Sequence, residues 1–143
     1  MSVPAKTILL IDDDREFVAA HKLLLQEAGY RVSAAYDGRS GLELARAEKP
    51  DLVILDVIMG SPEAGFELCR ELRADESLKH SRLLVLSAVG RQFQMAFEPD
   101  SLWLPADRFL EKPVGAETFI AEVRGMLGQP DPRHTKTALP KER

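Results

Sequence analysis

Three stretches of the chain, residues 7–11, 52–55 and 83–86, are near-continuous apolar runs four or five residues long. Runs of that length, without alternation, predict strands buried on both faces of a parallel sheet. Val32 and Ala34 alternate with their neighbours and predict a weaker strand at an edge; Phe109 and Leu110 predict a short fifth strand by their place in the series. Between the runs the apolar spacing changes to three and four. Phe17, Ala20, Leu24 and Ala28 define a first helix that Gly29 ends. Asp37 can cap a second, reaching about Glu48 before Pro50, and a third spans about residues 64–74. Phe119, Ile120, Val123 and Leu127 share one side of a last helix that stops at Gly128.

Strands alternating with helices imply a parallel sheet covered on both faces through right-handed crossovers. The expected fold is α/β, a flavodoxin-like, doubly wound, five-stranded parallel sheet of order 2-1-3-4-5. The fourth crossover, residues 88–106, breaks the rhythm. Pro99 and Pro105 limit any helix to about residues 91–97, so the fourth helix is expected to be shortened or irregular. Residues 128–143 hold three prolines and no apolar period and read as a flexible tail, leaving one domain over residues 5–127.

Composition narrows the function. The 143 residues are 45% hydrophobic and 29% charged, an ordinary globular balance. The net charge of -4, without a basic stripe, gives no electrostatic reason to bind nucleic acid directly. The apolar runs fall far short of the roughly 20 residues of a membrane helix, and residues 1–6 show no secretory pattern, so a cytoplasmic protein is expected. The single cysteine, Cys69, excludes an internal disulfide and sits in an amphipathic stretch as a small core residue. His21, His80 and His134 lack partners at metal-ligand spacing and read as solvated.

The chemistry concentrates after the strands. Asp12, Asp13 and Asp14 follow the first, Asp56 ends the third, Ser87 ends the fourth and Lys112 follows the fifth. A doubly wound sheet delivers these ends to one crevice. Helix capping accounts for Asp14 but not for Asp56 after an apolar run on a central strand. Two carboxylates about 4 Å apart repel by about 4 kcal/mol at an effective dielectric near 20, so such a cluster requires a cation or raised pKa values. Hard oxygen ligands with no thiol or imidazole beside them favour Mg²⁺. Lys112 offers a point charge and Ser87 a hydroxyl donor to a phosphate or carboxylate.

Over about residues 5–127 the chain resembles the receiver domains of bacterial two-component response regulators, in particular stand-alone, chemotaxis-regulator-like ones. The resemblance is carried by Ile11-Asp12-Asp13-Asp14, Leu55-Asp56-Val57-Ile58-Met59, Leu86-Ser87-Ala88 and Phe109-Leu110-Glu111-Lys112-Pro113. It implies that Asp56 accepts a phosphoryl group, that Asp12, Asp13, Asp56 and the Ile58 backbone carbonyl hold Mg²⁺, and that Ser87 and Lys112 bind phosphoryl oxygens. Ser87 and Phe109 would form the switch, and Ile58 and Val89, neither able to hold a water, would slow loss of the phosphoryl group. The implied donor is a sensor histidine kinase or phosphotransfer protein; the output is a downstream protein or a phosphorylation-dependent dimer, without membrane contact. Such a protein is a signalling domain, catalysing only its own phosphorylation and dephosphorylation.

Two features depart from the family pattern. Gly60 stands where proline is usual after the methionine, and Gly65 lies nine positions beyond Asp56 instead of eight, a one-residue insertion. The irregular fourth crossover also presents Trp103 and Leu104 as apolar anchors. A haloacid-dehalogenase-like phosphohydrolase would explain Asp12-x-Asp14, but the chain lacks its later acidic motif and a cap domain. A starting methionine and a tail without a tag suggest a complete, stand-alone regulator.

Overall fold

In the computed structural model, which describes residues 5–56, 62–87 and 106–127, five strands form one parallel sheet. They are β1 (Thr7–Ile11), β2 (Arg31–Ala35), β3 (Leu52–Asp56), β4 (Arg82–Ser87) and β5 (Arg108–Glu111), in the order β2-β1-β3-β4-β5. The helices are α1 (Arg15–Glu27), α2 (Gly38–Glu48), α3 (Pro62–Ala74) and α4 (Ala116–Leu127). The expected order and all five strands are present. A 3₁₀ turn at Glu76–Leu78, which the apolar pattern did not announce, buries Leu78 before β4.

The unbroken apolar runs are explained by two cores, one on each face. Leu9, Ile11, Val53, Leu55, Leu83 and Val85 point toward α2 and α3, where they meet Ala45, Leu68, Cys69 and Leu72. Ile8, Leu10, Leu52, Ile54, Leu84 and Leu86 point the other way, toward Val18 and Leu25 of α1 and Phe119, Val123 and Met126 of α4. Each fully buried side chain of this size contributes about 1.5–3 kcal/mol. Cys69 is a core residue as expected, and burial pushes its thiol up to about 12.

Local chemistry sets the helix ends. Asp14 caps α1 by accepting from the N–H groups of Glu16 and Phe17, and Gly29, at φ 105°, ends it in a conformation costly for any side chain. Asp37 caps α2 through Ser40 N–H. Gly41 lets α2 approach the sheet closely: a Cβ there would lie 2.6 Å from Ile11 Cδ1. That approach fixes the residue immediately before Asp12. The expectations for the loop after Asp56 with its insertion, for residues 88–105 including Trp103 and Leu104, and for the tail lie outside the described residues.

Candidate functional site

Parallel strands place their C-terminal ends on one edge, and the register makes this concrete. Ile11 pairs with Leu55, and Asp56 with Leu86, so the C-terminal ends of β1, β3 and β4 lie side by side. Asp12 is 2% exposed and Asp56 7%, whereas Asp13 faces solvent. One carboxylate oxygen from each of Asp12, Asp13 and Asp56 lies within 4.8 Å of the others. Lys112 reaches in from beyond β5, its Nζ donating to Asp12 Oδ2 at 2.9 Å and to Asp56 Oδ2 at 3.4 Å. The peptide between Lys112 and Pro113 is cis.

Asp12 is built into the backbone around it. Its N–H donates to Ala35 O at 3.1 Å, and its Oδ1 accepts from Asp14 N–H at 2.9 Å. Burial pushes its carboxyl up to about 6; the bonds from Lys112 and Asp14 oppose this, and the Asp56 charge adds to it. Burial alone would lower Lys112, but its bond to Asp12 and the charge of Asp56 outweigh that and hold it above the usual lysine range. The three clustered oxygens are hard donors with the spacing of a single-ion site, and the Lys112 ammonium already bridges two of them. The donor set therefore fits Mg²⁺.

Four of the expected site residues, Asp12, Asp13, Asp56 and Lys112, are brought together. Ser87 ends β4 in register with Glu111, at the same edge. Phe109 pairs with Val85 in β5 and packs, half-buried, against the α2–α3 core. Ile58 and Val89 lie outside the described residues.

His21 corrects the sequence reading, which put it in solvent. It is half-buried, stacked on Phe17 with ring centroids 3.8 Å apart and meeting the Phe119 ring edge-on at 4.8 Å. Its Nδ1 donates to the Phe17 carbonyl at 2.9 Å. Burial lowers its pKa, the Phe17 carbonyl works against this and the Lys112 charge adds to it, which favours the neutral ring. Phe17 in turn presents its face to Lys112 Nζ, 4.1 Å from the ring centroid. The sequence reading treated Phe17 only as a core position. The signal available was its i, i+4 spacing with His21 on a helix that starts directly after the acids. His80 is exposed as expected, its Nε2 3.1 Å from Lys49 O.

Comparison with known proteins agrees with this geometry. Residues 8–124 match the family model of the response regulator receiver domain. The transcriptional regulatory protein AfsQ1 of Streptomyces coelicolor is 33% identical over 132 residues, covering 92% of this chain and 56% of the relative. The DNA-binding dual master transcriptional regulator RpaA of Synechocystis is 37% identical over 124 residues, covering 87% and 50%. This chain thus spans about half the length of the curated relatives it matches. The chemotaxis response regulator CheY4 of Vibrio cholerae superposes with a TM-score of 0.76 at 27% identity, over 87% of this chain and all of that one.

Proposed function

The chain belongs to the response regulator receiver domain family, and we propose on that footing that Asp56 is its phosphoacceptor and the cluster around it the phosphotransfer site. Receiver domains take phosphoryl groups from histidine kinases. The observation that carries the assignment is the convergence of Asp12, Asp13 and Lys112 on the Asp56 carboxylate at the end of a buried strand.

An Asp56 oxygen attacks phosphorus, the bond from phosphorus to the donor's imidazole nitrogen breaks, and that nitrogen keeps the electron pair. Asp12, Asp13, Asp56 and the Ile58 carbonyl would hold Mg²⁺, which when bound supplies positive charge to the phosphoryl oxygens. With it the three aspartates and Lys112 sum to zero charge, so the arriving phosphoryl group meets a neutral site. Lys112 trades part of its bonding to the carboxylates for a phosphoryl oxygen, and the Ser87 hydroxyl donates to another. Movement of Ser87 and a change of Phe109 would pass the event to a protein-binding face, toward a downstream protein or a second copy. Ile58 and Val89, both apolar, would leave the hydrolytic water unheld and the phosphoryl group long-lived; Ile58→Asn with Val89→Glu should shorten its lifetime. The same chemistry accepts a small acyl phosphate as donor, and it suits a cytoplasmic setting; among the described residues no helix is long and apolar enough to cross a membrane.

Intact mass after treatment with acetyl phosphate and Mg²⁺ should show one added phosphoryl group, absent in Asp56→Asn and in the presence of EDTA. Persistent labelling of Asp56→Asn would overturn the assignment.

A further inference from the structure

We infer that Phe17 is a positioning residue for Lys112, its ring face holding the ammonium over the carboxylates while the ammonium's charged partners change. The inference rests on the phosphotransfer reading of the same site. The Lys112 side chain is 15% exposed, and its Nζ has three N–H groups. Two donate to Asp12 Oδ2 and Asp56 Oδ2, while the Phe17 ring covers the ammonium at 4.1 Å from its centroid. Both carboxylate contacts would weaken during phosphotransfer, because Asp56 would become an acyl phosphate and Asp12 would help hold the metal. The attraction between ammonium and ring does not depend on either. It is also worth more in a partly desolvated site than on an open surface.

The ring is itself held in place. Phe17 lies in the first turn of α1, three residues after its Asp14 cap, and its ring is stacked by His21 at 3.8 Å with 21° between planes. Phe119, fully buried on α4, meets His21 edge-on and closes the row. The row thus runs Phe119, His21, Phe17, Lys112, from the buried core to the charged cluster. A leucine at position 17 would satisfy the core as well as phenylalanine but offers no π face. Tyrosine keeps the face.

The test compares wild type, Phe17→Leu, Phe17→Tyr, Lys112→Ala and the Phe17→Leu/Lys112→Ala double variant. Two readouts are used: the rate of labelling by acetyl phosphate with Mg²⁺, and the NMR shift of the Lys112 ε-methylene protons without phosphate donor. In wild type those protons should lie upfield of the other lysines, as protons over a ring face do. Phe17→Leu should remove the upfield shift and slow labelling roughly three- to tenfold, while Phe17→Tyr keeps the shift and stays within about twofold of wild type. In the Lys112→Ala background, Phe17→Leu should add nothing. An unshifted Lys112 in wild type overturns the inference without any variant having to fold. So does an equal slowing by Phe17→Leu whether or not Lys112 is present, because that describes a structural defect. Failure of the phosphotransfer reading is separate: wild type would not label, or Asp56→Asn would.

Discussion

Strand β3 is bracketed by two aspartates in opposite circumstances. Asp51, just before it, is matched by neutral donors: its Oδ2 accepts from Thr7 N–H at 2.9 Å and Thr7 Oγ1 at 3.2 Å, and its own N–H donates to Thr7 Oγ1 at 3.1 Å. Asp56, at the other end, shares its space with Asp12 and Asp13. The contrast extends along both edges of the sheet. At the N-terminal edge Asp107 accepts from Leu83 N–H at 2.7 Å and pairs with Arg73, whose other nitrogen donates to Ser81 O. Near that edge the Arg46 guanidinium beside Asp75 holds its carboxyl down at about 2, whereas Asp12, at the C-terminal edge, is pushed up to about 6. One edge uses carboxylates to tie strands together, and the other accumulates like charge. Residue type alone does not separate structural from functional aspartates; the partners do.

The comparison predicts opposite signs for two substitutions at the ends of the same strand. Asp51→Ala leaves the Thr7 N–H and hydroxyl short of an acceptor in a half-buried position, and should cost about 2–3 kcal/mol in urea unfolding. Labelling by acetyl phosphate should survive it. A cost under about 0.5 kcal/mol would mean that the Asp51–Thr7 link holds nothing together. Asp56→Asn removes one of three crowded charges while also weakening a bond from Lys112, so the expected net is a stabilisation of about 1 kcal/mol without metal. Mg²⁺ should raise the melting temperature of wild type and leave Asp56→Asn nearly unmoved, since binding to the native state alone stabilises it. A lower melting temperature for metal-free Asp56→Asn than for wild type would show that repulsion does not govern this edge.

The same contrast explains how much could be read from sequence. The three buried runs made β1, β3 and β4 plain because a parallel sheet covered on both faces needs no polar alternation. Once those strands were ordered, Asp12, Asp13, Asp56 and Lys112 had to share an edge, though Asp12 and Lys112 lie 100 positions apart. The 3₁₀ turn at Glu76–Leu78 was not legible, since one buried leucine and an aspartate cap make no period. Nor was the burial of His21. On α1 it occupies a place that a solvated residue could also fill, and only the packing of α4 brings Phe119 over it. The Phe17 contact with Lys112 depends on how far a lysine after β5 reaches across the edge, which no local pattern encodes.

The smallest effect expected concerns Asp75. Its carboxyl caps the 3₁₀ turn through Ser77 N–H at 2.9 Å and pairs with Arg46 Nε at 2.7 Å. The bond from Arg46 is the main cause of the depressed pKa, with the Ser77 hydroxyl and N–H adding to it. The unfolded carboxyl titrates near its ordinary value of 3.8 and the folded one near 2. Between those values the unfolded state binds more protons, so acid favours unfolding there. The pairing therefore stabilises the fold fully above about pH 4, and its contribution fades as pH falls toward 2. Arg46 is half-exposed, so the stabilisation should be modest and should shrink in high salt. Thermal melts of wild type and Asp75→Asn at pH 6, 5, 4 and 3 should show wild type higher, with a constant gap down to about pH 4 and a narrower one at pH 3. Arg46→Met should reproduce the narrowing. A gap that widens as pH falls would mean that the Asp75 carboxylate is not what the turn depends on.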